Sequence, residues 1–549
     1  MTPSAATCSA LIGERQEPNG APKPLTAEGK VRFGDLLSDP ARSRIICVRE
    51  DHTRSDQDCT NDLVAVDCQS GEVTVLATGR DFYGYASLSP DGAHMAWLEW
   101  EHPNMPWDGT ELWLASLTAD GTLLDRTRVA GGPEESICEP QWSPDGVLHY
   151  ISDRSGFWNL YRQEADAAVA LCPLSADFGR PQWVFGSGSY AFVTPWRLLC
   201  AYTQGGIWSL AFLDGEGGDL ERIQLPFADY GRPRLRGDKA YLVAAGPAEP
   251  MAVIELDLRT GRYETVRRAS DAQVDPAYIS HPEPVEFETT GGGRAYGLYY
   301  PPLNPDFEGG DEAPPLLVSI HGGPTAQAPA VMNLEHLWFT SRGVAVVEVN
   351  YRGSSGYGRA YRQQLKGNWG VYDVDDAVGA AAYLVGRGDA DRRRLAIRGG
   401  SAGGYTTLAA LAFRDYFRAG ASYFGLSDIE LFDKETHKFE SRYCTALIGG
   451  KERYAERSPL NSADTISAPL ILFQGLEDHI VPPSQSEVIV DDLKRRKVPY
   501  AYVAFEGEGH GFRRAESVRR SLEAEAFFYS RVFGFALADG VEPVAIENL

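Results

Sequence analysis

The chain has 549 residues, of which 43% are hydrophobic and 23% are charged, and its formal net charge at pH 7 is −24. Because one domain usually holds about 50–250 residues, at least two domains are expected. The negative charge argues against nucleic acid and anionic membranes as partners, since both require a cationic surface, and no apolar run approaches the ~18 residues of a membrane span.

The N-terminal segment MTPSAATCSALIGERQ lacks a basic start and a long apolar core, so a secretory signal is not expected. The chain contains 8 cysteines, and none of them forms a CxxC pair or lies near a histidine at metal-ligand spacing. Cys47 and Cys200 lie in apolar runs typical of strands, which predicts buried thiols in a reducing compartment. We therefore expect a cytoplasmic protein without a metal or an organic cofactor.

The first half of the chain repeats a pattern of two apolar runs joined by a polar turn. Five copies follow one another at spacings of 49, 48, 47 and 46 positions, and their aligned apolar residues are Leu63, Leu112, Leu160, Ile207 and Val253. A period of about 40–50 residues is typical of four-stranded propeller blades. Residues 30–275 are therefore predicted to form a β-propeller of about five blades, in preference to a β-sandwich, after an N-terminal extension of residues 1–29.

The stretch WEHPNMPWDGTELW, from Trp100 to Trp113, interrupts this repeat. It predicts a hairpin that contains proline and several aromatic residues. Its side chains His102, Met105 and Trp107 are expected either to face a ligand or to pack on their own blade.

Strands and helices alternate in the second half, after a polar, proline-containing linker at residues 271–284. The continuous apolar runs at 314–320 and 344–351 are typical of strands buried on both faces, and residues 374–388 have helical spacing. This alternation predicts a doubly wound, mostly parallel sheet in residues 280–549. Ligands bind such sheets beyond the C-terminal ends of the strands.

The stretch RGGSAGGYTTLAA, residues 398–410, places Ser401 between a short apolar run and a helix-forming run. Gly399 and Gly403 occupy the outer positions of G-x-S-x-G, the nucleophile elbow of α/β hydrolases, in which a tight turn exposes the serine hydroxyl. A glycine-rich turn with an incidental serine is the alternative. A catalytic serine also needs a base, because its hydroxyl is otherwise a poor nucleophile.

Candidate partners of Ser401 follow two later strands. Asp478 comes after LILFQG and His510 after YAYVAF, which matches the Ser–Asp–His order of α/β hydrolases. His510 is expected to accept the serine proton, and Asp478 to orient the imidazole and stabilise its charged form. Glu477 is the rival acid, and Asp464 is a weaker one.

Backbone amides close to Ser401 are expected to stabilise the oxyanion that forms during acyl transfer. One is the amide of Ala402, directly after the serine, and the second comes from the loop HGGP, with Gly323 preferred and Gly322 close behind. Aromatic residues near the site are expected either to line a substrate pocket or to pack in the core: Tyr405, Tyr423 and Phe424.

With HGGP, GGSAGGY, GLEDHIVP and GEGHGF in this order after a propeller repeat, the chain resembles the prolyl oligopeptidase family of serine peptidases. Its acylaminoacyl-peptidase-like and dipeptidyl-peptidase-like branches are the most similar. The resemblance covers residues 280–549 and includes the segment NYRGSSGYGRAY at 350–361. It implies that Ser401, Asp478 and His510 are the catalytic triad, and that the propeller admits short peptides and excludes folded proteins.

Two features depart from the pattern of that family. Its members usually have seven or eight blades, so a propeller of about five is expected to be shortened, either reduced or incomplete. We find no counterpart of the paired glutamates with which dipeptidyl peptidases hold a free amino terminus. Ile480 stands where that branch has a basic residue, two positions after the acid. Exopeptidase and endopeptidase modes are therefore both open.

The sequence thus predicts a serine peptidase that hydrolyses short peptides through an acyl-enzyme. A carboxylesterase-type hydrolase with the same triad is one alternative, and turnover of esters but not of peptides would favour it. A catalytically inactive propeller protein that binds a partner is the other. Side-chain preference and oligomeric state do not follow from the sequence.

Overall fold

The computed structural model describes residues 24–55, 58–165, 167–215, 218 and 220–549. Most of the predicted N-terminal extension, with Cys8, lies outside these residues. Within them, five antiparallel sheets precede one large mixed sheet, and no helix is long and apolar enough to cross a membrane.

The first four sheets are meanders of four strands in chain order. The first holds β1 (Val31–Asp39), β2 (Arg44–Asp51), β3 (Thr60–Asp67) and β4 (Val73–Ala77). The second holds β5 (Phe82–Leu88), β6 (His94–Trp100), β7 (Thr110–Leu117) and β8 (Leu123–Gly132). The third holds β9 (Ile137–Trp142), β10 (Leu148–Ser152), β11 (Asn159–Glu164) and β12 (Ala167–Ala170). The fourth holds β13 (Tyr190–Thr194), β14 (Arg197–Gln204), β15 (Ile207–Asp214) and β16 (Leu220–Ile223).

The fifth sheet differs in that two short strands, one after the other, pair with the same edge of β19. It holds β17 (Asp229–Tyr230), β18 (Arg234–Arg236), β19 (Lys239–Ala245), β20 (Ala252–Asp257) and β21 (Tyr263–Arg268). These five sheets confirm the prediction of a propeller of about five blades.

The apolar residues that define the repeat lie on equivalent strands, which are β3, β7, β11, β15 and β20. Val253 on β20 nevertheless has 37% of its surface exposed, whereas its neighbours Ala252 and Ile254 are buried. Ala252 and Ile254 pack against the fourth sheet, so Val253 lies on the opposite face of β20, which no further propeller sheet covers among the described residues.

The first strands of the blades meet around the centre of the propeller. Asp35 of β1, Tyr85 of β5 and Glu139 of β9 line a cavity of about 340 Å³, together with Arg232 between β17 and β18. Burial raises the pKa of Asp35 to about 6 and that of Glu139 to about 7. These strands therefore form the inner wall of the propeller.

The mixed sheet has eight strands in the order β22-β23-β25-β24-β26-β27-β28-β29. Only β22/β23 and β23/β25 are antiparallel pairs, so the prediction of a doubly wound, mostly parallel sheet is confirmed. Its strands are β22 (Glu283–Glu288), β23 (Arg294–Tyr300), β24 (Leu316–Ile320), β25 (Ala345–Asn350), β26 (Leu395–Gly400), β27 (Ala419–Tyr423), β28 (Leu470–Gly475) and β29 (Tyr500–Phe505).

Helices cover both faces of this sheet. They are α1 (Leu334–Thr340), α2 (Arg359–Arg362), α3 (Tyr372–Arg387), α4 (Ala402–Phe413), α5 (Ile429–Glu435), α6 (Tyr443–Ile448), α7 (Tyr454–Arg457), α8 (Ser484–Arg496) and α9 (Ala515–Phe533). One core joins α3, α4 and α8 to one face of the sheet, and another joins α1 and α9 to the opposite face. Short 3₁₀ turns are Pro40–Arg42, Pro276–Tyr278, Thr290–Gly292, Gln363–Leu365, Lys438–Glu440, Lys451–Arg453 and Pro459–Thr465.

The segment NYRGSSGYGRAY and the helix that it enters join the propeller to the mixed sheet. Arg359 and Arg362 of α2 both donate to Oδ2 of Asp153, at 2.7 and 2.6 Å. The amide of Gly358 donates to Oδ2 of Asp177 at 3.0 Å. Both aspartates are fully buried propeller residues, so these charge-assisted bonds fix the two parts of the chain against each other.

The hairpin between β6 and β7 packs at the same interface. Met105 and Trp107 are buried, and the Trp107 ring lies 4.4 Å from Trp183 and 5.6 Å from Tyr443 of α6. His102 packs edge-on against Phe82, and burial lowers its pKa. The packing alternative is therefore the one observed, and Trp107 packs against α6 on the side of the mixed sheet as well as against the propeller.

Candidate active site

Ser401 lies between the end of β26 and the first residue of α4. Its backbone has φ 56° and ψ −119°, a region that non-glycine residues rarely adopt. The turn is held because the Ser401 amide donates to the Tyr423 carbonyl and the Tyr405 amide donates to the Ser401 carbonyl, both at 2.9 Å. This strained turn is the geometry by which a nucleophile elbow exposes its hydroxyl.

Two glycines let the elbow approach its neighbours closely. A Cβ at Gly399 would lie 2.4 Å from the carbonyl oxygen of Gly403, and a Cβ at Gly403 would lie 2.1 Å from that of Ile320. No flexible side chain could move aside to relieve these contacts. The glycines of the motif thus bring the start of α4 against β24 and β26.

We expect Gly403→Ala to displace the elbow and to lower kcat/KM about 10- to 100-fold, because a shift of about 1 Å at a reacting group has effects of this order. The control is Gly386→Ala, also inside a helix, where an added Cβ meets nothing within 4 Å. Steady-state kinetics and thermal unfolding of both variants test this. Full activity of Gly403→Ala would contradict the packing argument.

The loops after β26, β28 and β29 bring three predicted residues together. The Ser401 hydroxyl lies 2.9 Å from Nε2 of His510, and Nδ1 of His510 lies 2.7 Å from Oδ2 of Asp478. With the imidazole proton on Nδ1, the hydroxyl donates to Nε2 and Nδ1–H donates to the carboxylate. The serine is therefore connected through the imidazole to a buried carboxylate.

Backbone bonds fix the carboxylate of Asp478. Its Oδ1 accepts from the amides of Ile480 and Val481, at 2.8 and 2.9 Å, which leaves Oδ2 for the imidazole. The amide of Glu477 donates to the Glu508 carbonyl at 2.9 Å and so joins the two loops. Ile480, which stands where the dipeptidyl-peptidase-like branch has a basic residue, thus contributes its backbone amide to holding Asp478. The side chains of the rival acids, Glu477 and Asp464, are exposed, and it is Asp478 that contacts His510.

The predicted oxyanion donors lie around Ser401. Ala402 is the first residue of α4, so its amide points out of the positive end of the helix. A Cβ at Gly322 would lie 3.6 Å from Cβ of Ser401, so the peptide that carries the Gly323 amide starts beside the serine. Within residues 220–549, neither the Ala402 nor the Gly323 amide donates to another protein group. Both amides are therefore available to a ligand.

Two of the three predicted pocket aromatics lie at the site. Tyr423 and Phe424 line a cavity of about 440 Å³ with Ser401 and His510, and the Phe424 ring lies 4.8 Å from the imidazole.

Tyr405 does not line this cavity and takes the other alternative, packing in the core. Its side chain is fully buried, its hydroxyl donates to the Arg457 carbonyl at 2.9 Å, and its ring lies 4.3 Å from that of Trp369. Tyr405 lies one turn into α4, on the face that packs into the core, so its closeness to Ser401 in sequence does not bring it to the cavity.

Sequence reasoning missed a group of charged residues in this cavity. Arg398 on β26 pairs with Glu335 at 2.8 Å and with Glu525 at 3.4 Å. Glu348 on β25 lies 3.5 Å from His336, and burial raises the pKa of Glu348 to about 8 and lowers that of His336 to about 3. The sequence did carry a signal for this group, because Arg398 and Glu348 each lie inside an apolar strand, LAIRGG and AVVEVN. Buried charges need partners, so each of them indicated a nearby charged or polar group.

One group of side chains elsewhere has metal-ligand chemistry. Among the described residues, the ligand atoms of Glu50, His52 and Cys59 lie within 4.8 Å of one another. The Cys59 thiol donates to Oδ1 of Asn61 at 3.2 Å, and burial raises its pKa to about 11. A metal bound here would have to displace the thiol proton.

A serine at a strained elbow of an α/β sheet, hydrogen-bonded through a histidine to a buried aspartate, defines the class of serine hydrolases. The model of the prolyl oligopeptidase family matches residues 329–536. The acylamino-acid-releasing enzyme of Rattus norvegicus is 30% identical over 507 residues, which are 83% of this chain and 67% of that enzyme. The chain belongs to the prolyl oligopeptidase family.

A puromycin-hydrolysing peptidase from Mycobacterium tuberculosis is similar in fold and sequence. Its structure superimposes with a TM-score of 0.91 at 40% identity, over 96% of this chain and 83% of that one. Dipeptidyl aminopeptidase BIII of Pseudoxanthomonas mexicana is 31% identical over 315 residues, which are 54% of this chain and 46% of that protein. The chain thus spans less than half of the length of this curated relative.

Proposed function

We propose that this protein is a serine peptidase that hydrolyses short peptides through an acyl-enzyme intermediate. Ser401 attacks the scissile carbonyl, His510 accepts its proton and returns it to the leaving amine, and Asp478 holds the imidazole in the required tautomer. The amides of Ala402 and Gly323 bind the oxyanion, with Gly322 next to them as the alternative.

The observation that carries this proposal is the pair of distances through His510, 2.9 Å to the Ser401 hydroxyl and 2.7 Å to the Asp478 carboxylate. Both are hydrogen-bond lengths, so the serine proton has an acceptor before substrate binds. The buried carboxylate can stabilise the imidazolium that forms when the proton is transferred.

The propeller and the named activities of the relatives favour peptides over simple esters. Puromycin hydrolysis, dipeptide release and acylamino-acid release are the activities that the names of these relatives state. We propose that the propeller limits the size of the substrate, and that Tyr423 and Phe424 form part of the substrate pocket.

Three chromogenic substrates with the same side chain test this function: a free aminoacyl p-nitroanilide, its N-acetyl form and the corresponding p-nitrophenyl ester. We expect at least one anilide to be hydrolysed, since the triad has to expel an amine. Ester hydrolysis without anilide hydrolysis would favour a carboxylesterase. A folded protein inactive on all three and unlabelled by a fluorophosphonate would favour a propeller that only binds a partner.

We also propose that residues 30–275 form a propeller domain and residues 280–549 the catalytic domain. Strand β21 is the last propeller strand and β22 the first strand of the mixed sheet, which supports this division. A cytoplasmic location is supported by Cys138, Cys200 and Cys444, which are buried free thiols, as expected in a reducing compartment. Short peptides are the proposed partners, with no nucleic acid and no membrane.

A further inference from the structure

The loop that carries the Gly322 and Gly323 amides, residues 321–327, is held from two sides at Thr325. The indole Nε1–H of Trp183 donates to the Thr325 carbonyl at 2.7 Å. The Thr325 amide donates to the hydroxyl of Tyr443 at 3.1 Å, and the two hydroxyls of these residues lie 2.6 Å apart. Thr325 is buried, so its bonds to Tyr443 are shielded from water, and its bond to Trp183 is partly buried.

Trp183 is a propeller residue, in the connection between β12 and β13. Just before it, Arg180 donates to Asp229 at 2.5 Å and to the Tyr230 carbonyl at 2.9 Å. Just after it, the hydroxyl of Tyr85 donates to the Val184 carbonyl at 3.3 Å. Trp183 is therefore presented to the loop by an anchored segment.

Other hydrogen bonds in the described part of the chain also hold residues 321–327, but none of them satisfies the Thr325 carbonyl. The hydroxyl of Tyr351 donates to the Pro324 carbonyl at 3.1 Å, and the amide of Ser355 donates to the Ala326 carbonyl at 2.8 Å. Among the described residues, only Trp183 donates to the Thr325 carbonyl. The propeller thus satisfies a buried acceptor two residues after Gly323.

We propose that Trp183 is a positioning residue for the oxyanion-binding loop, so that the propeller sets the rate of the chemical step as well as access of the substrate. This inference rests on the proposed peptidase function. An oxyanion donor must lie within about 2.7–3.1 Å of the developing charge, and it stabilises the transition state more than the bound substrate. When the indole donor is lost, residues 321–327 relax and the Gly323 amide moves from its place.

The test is Trp183→Phe, which keeps an aromatic ring and removes the N–H. We expect kcat to fall about tenfold while KM stays within about twofold, because the loop is displaced without loss of a substrate contact. The matched control is Trp107→Phe. The Trp107 ring packs 4.4 Å from Trp183, but in the part of the chain described here it donates no hydrogen bond to residues 321–327. We expect this control to change kcat less than about twofold.

A second readout separates positioning from general destabilisation. A peptidyl trifluoromethyl ketone forms a tetrahedral adduct whose oxyanion occupies the same site as that of the transition state. Its inhibition constant should rise in Trp183→Phe by the same factor as kcat/KM falls, whereas the constant of a peptide product should not change. Tyr443→Phe should give a similar loss of kcat, and the double variant a loss smaller than the product of the two, because both bonds hold Thr325.

Each outcome decides the inference. Kinetics of Trp183→Phe equal to those of Trp107→Phe, or a rise of KM alone, would overturn the positioning role. If Trp183→Phe does not fold, benzothienylalanine at position 183 keeps the shape of the indole without its N–H and is tested in the same way. If the unaltered protein hydrolyses none of the anilides or esters and is unlabelled by a fluorophosphonate, the proposed function itself fails. That result is distinguishable because it appears without any substitution.

Discussion

Replacing Ser401 by alanine is expected to lower kcat by about 10⁵- to 10⁶-fold on any substrate that the protein hydrolyses. In the proposed mechanism His510 and Asp478 act through the serine, so we expect no acyl-enzyme to form without it. Residual turnover would come from the oxyanion amides and from substrate binding alone. KM should change little, since the hydroxyl contributes little to ground-state binding.

The control is Ser530→Ala, which removes a serine hydroxyl that donates to the Phe527 carbonyl at 2.7 Å within α9. This variant should keep the activity of the unaltered protein. Burst kinetics with a p-nitrophenyl ester measure the acylation step directly and should show no burst in Ser401→Ala. Retention of more than about 1% of kcat by Ser401→Ala would contradict the assignment of the nucleophile.

Asp478→Asn is expected to lower kcat about 10⁴-fold while the protein stays folded. Oδ1 of Asp478 accepts two backbone amides, so the asparagine oxygen must take that place and its NH₂ group must face Nδ1 of His510. Nδ1 would then accept a hydrogen bond, and the imidazole proton would move to Nε2. In that tautomer His510 cannot accept the serine proton.

Glu477→Gln is the matched control for this substitution, because it makes the same chemical change one residue away. The Glu477 side chain is exposed, and the backbone amide that joins its loop to Glu508 is kept. We expect kcat of this variant to stay within about twofold of the unaltered protein, measured across pH 5–9 for both variants. A larger loss in Glu477→Gln than in Asp478→Asn would make Glu477 the acid.

The sheet and the meeting of Ser401, Asp478 and His510 could be predicted from sequence because their signals are local. Strands buried on both faces are continuous apolar runs. The runs at residues 314–320 and 344–351 therefore predicted β24 and β25, and the ends of both strands agree with the prediction to within two residues. Gly399 is required by a contact inside the elbow itself, with Gly403, and Asp478 and His510 lie in the loops after strands that end at the same edge of the sheet.

The parts that sequence reasoning missed depend on contacts between distant residues. Trp183 bonds to Thr325 across 142 positions, and the pairing of Arg398 with Glu335 and Glu525 joins three separate elements. Tyr405 is close to Ser401 in sequence, but the helix turns it into the core, and the sequence alone left the pocket and the core open for it. Val253 is exposed because it lies on the face of β20 that points away from the fourth sheet, and no further described propeller sheet packs there.

Labelling with a biotinylated fluorophosphonate, followed by peptide mass spectrometry, tests the central claim most directly. The reagent forms a covalent bond only with a serine whose hydroxyl is activated by a base. We predict one label per chain, on Ser401, with labelling greatly slowed in His510→Ala and absent in Ser401→Ala. A folded, unaltered protein that takes up no label, or takes it up on another serine, would contradict the account.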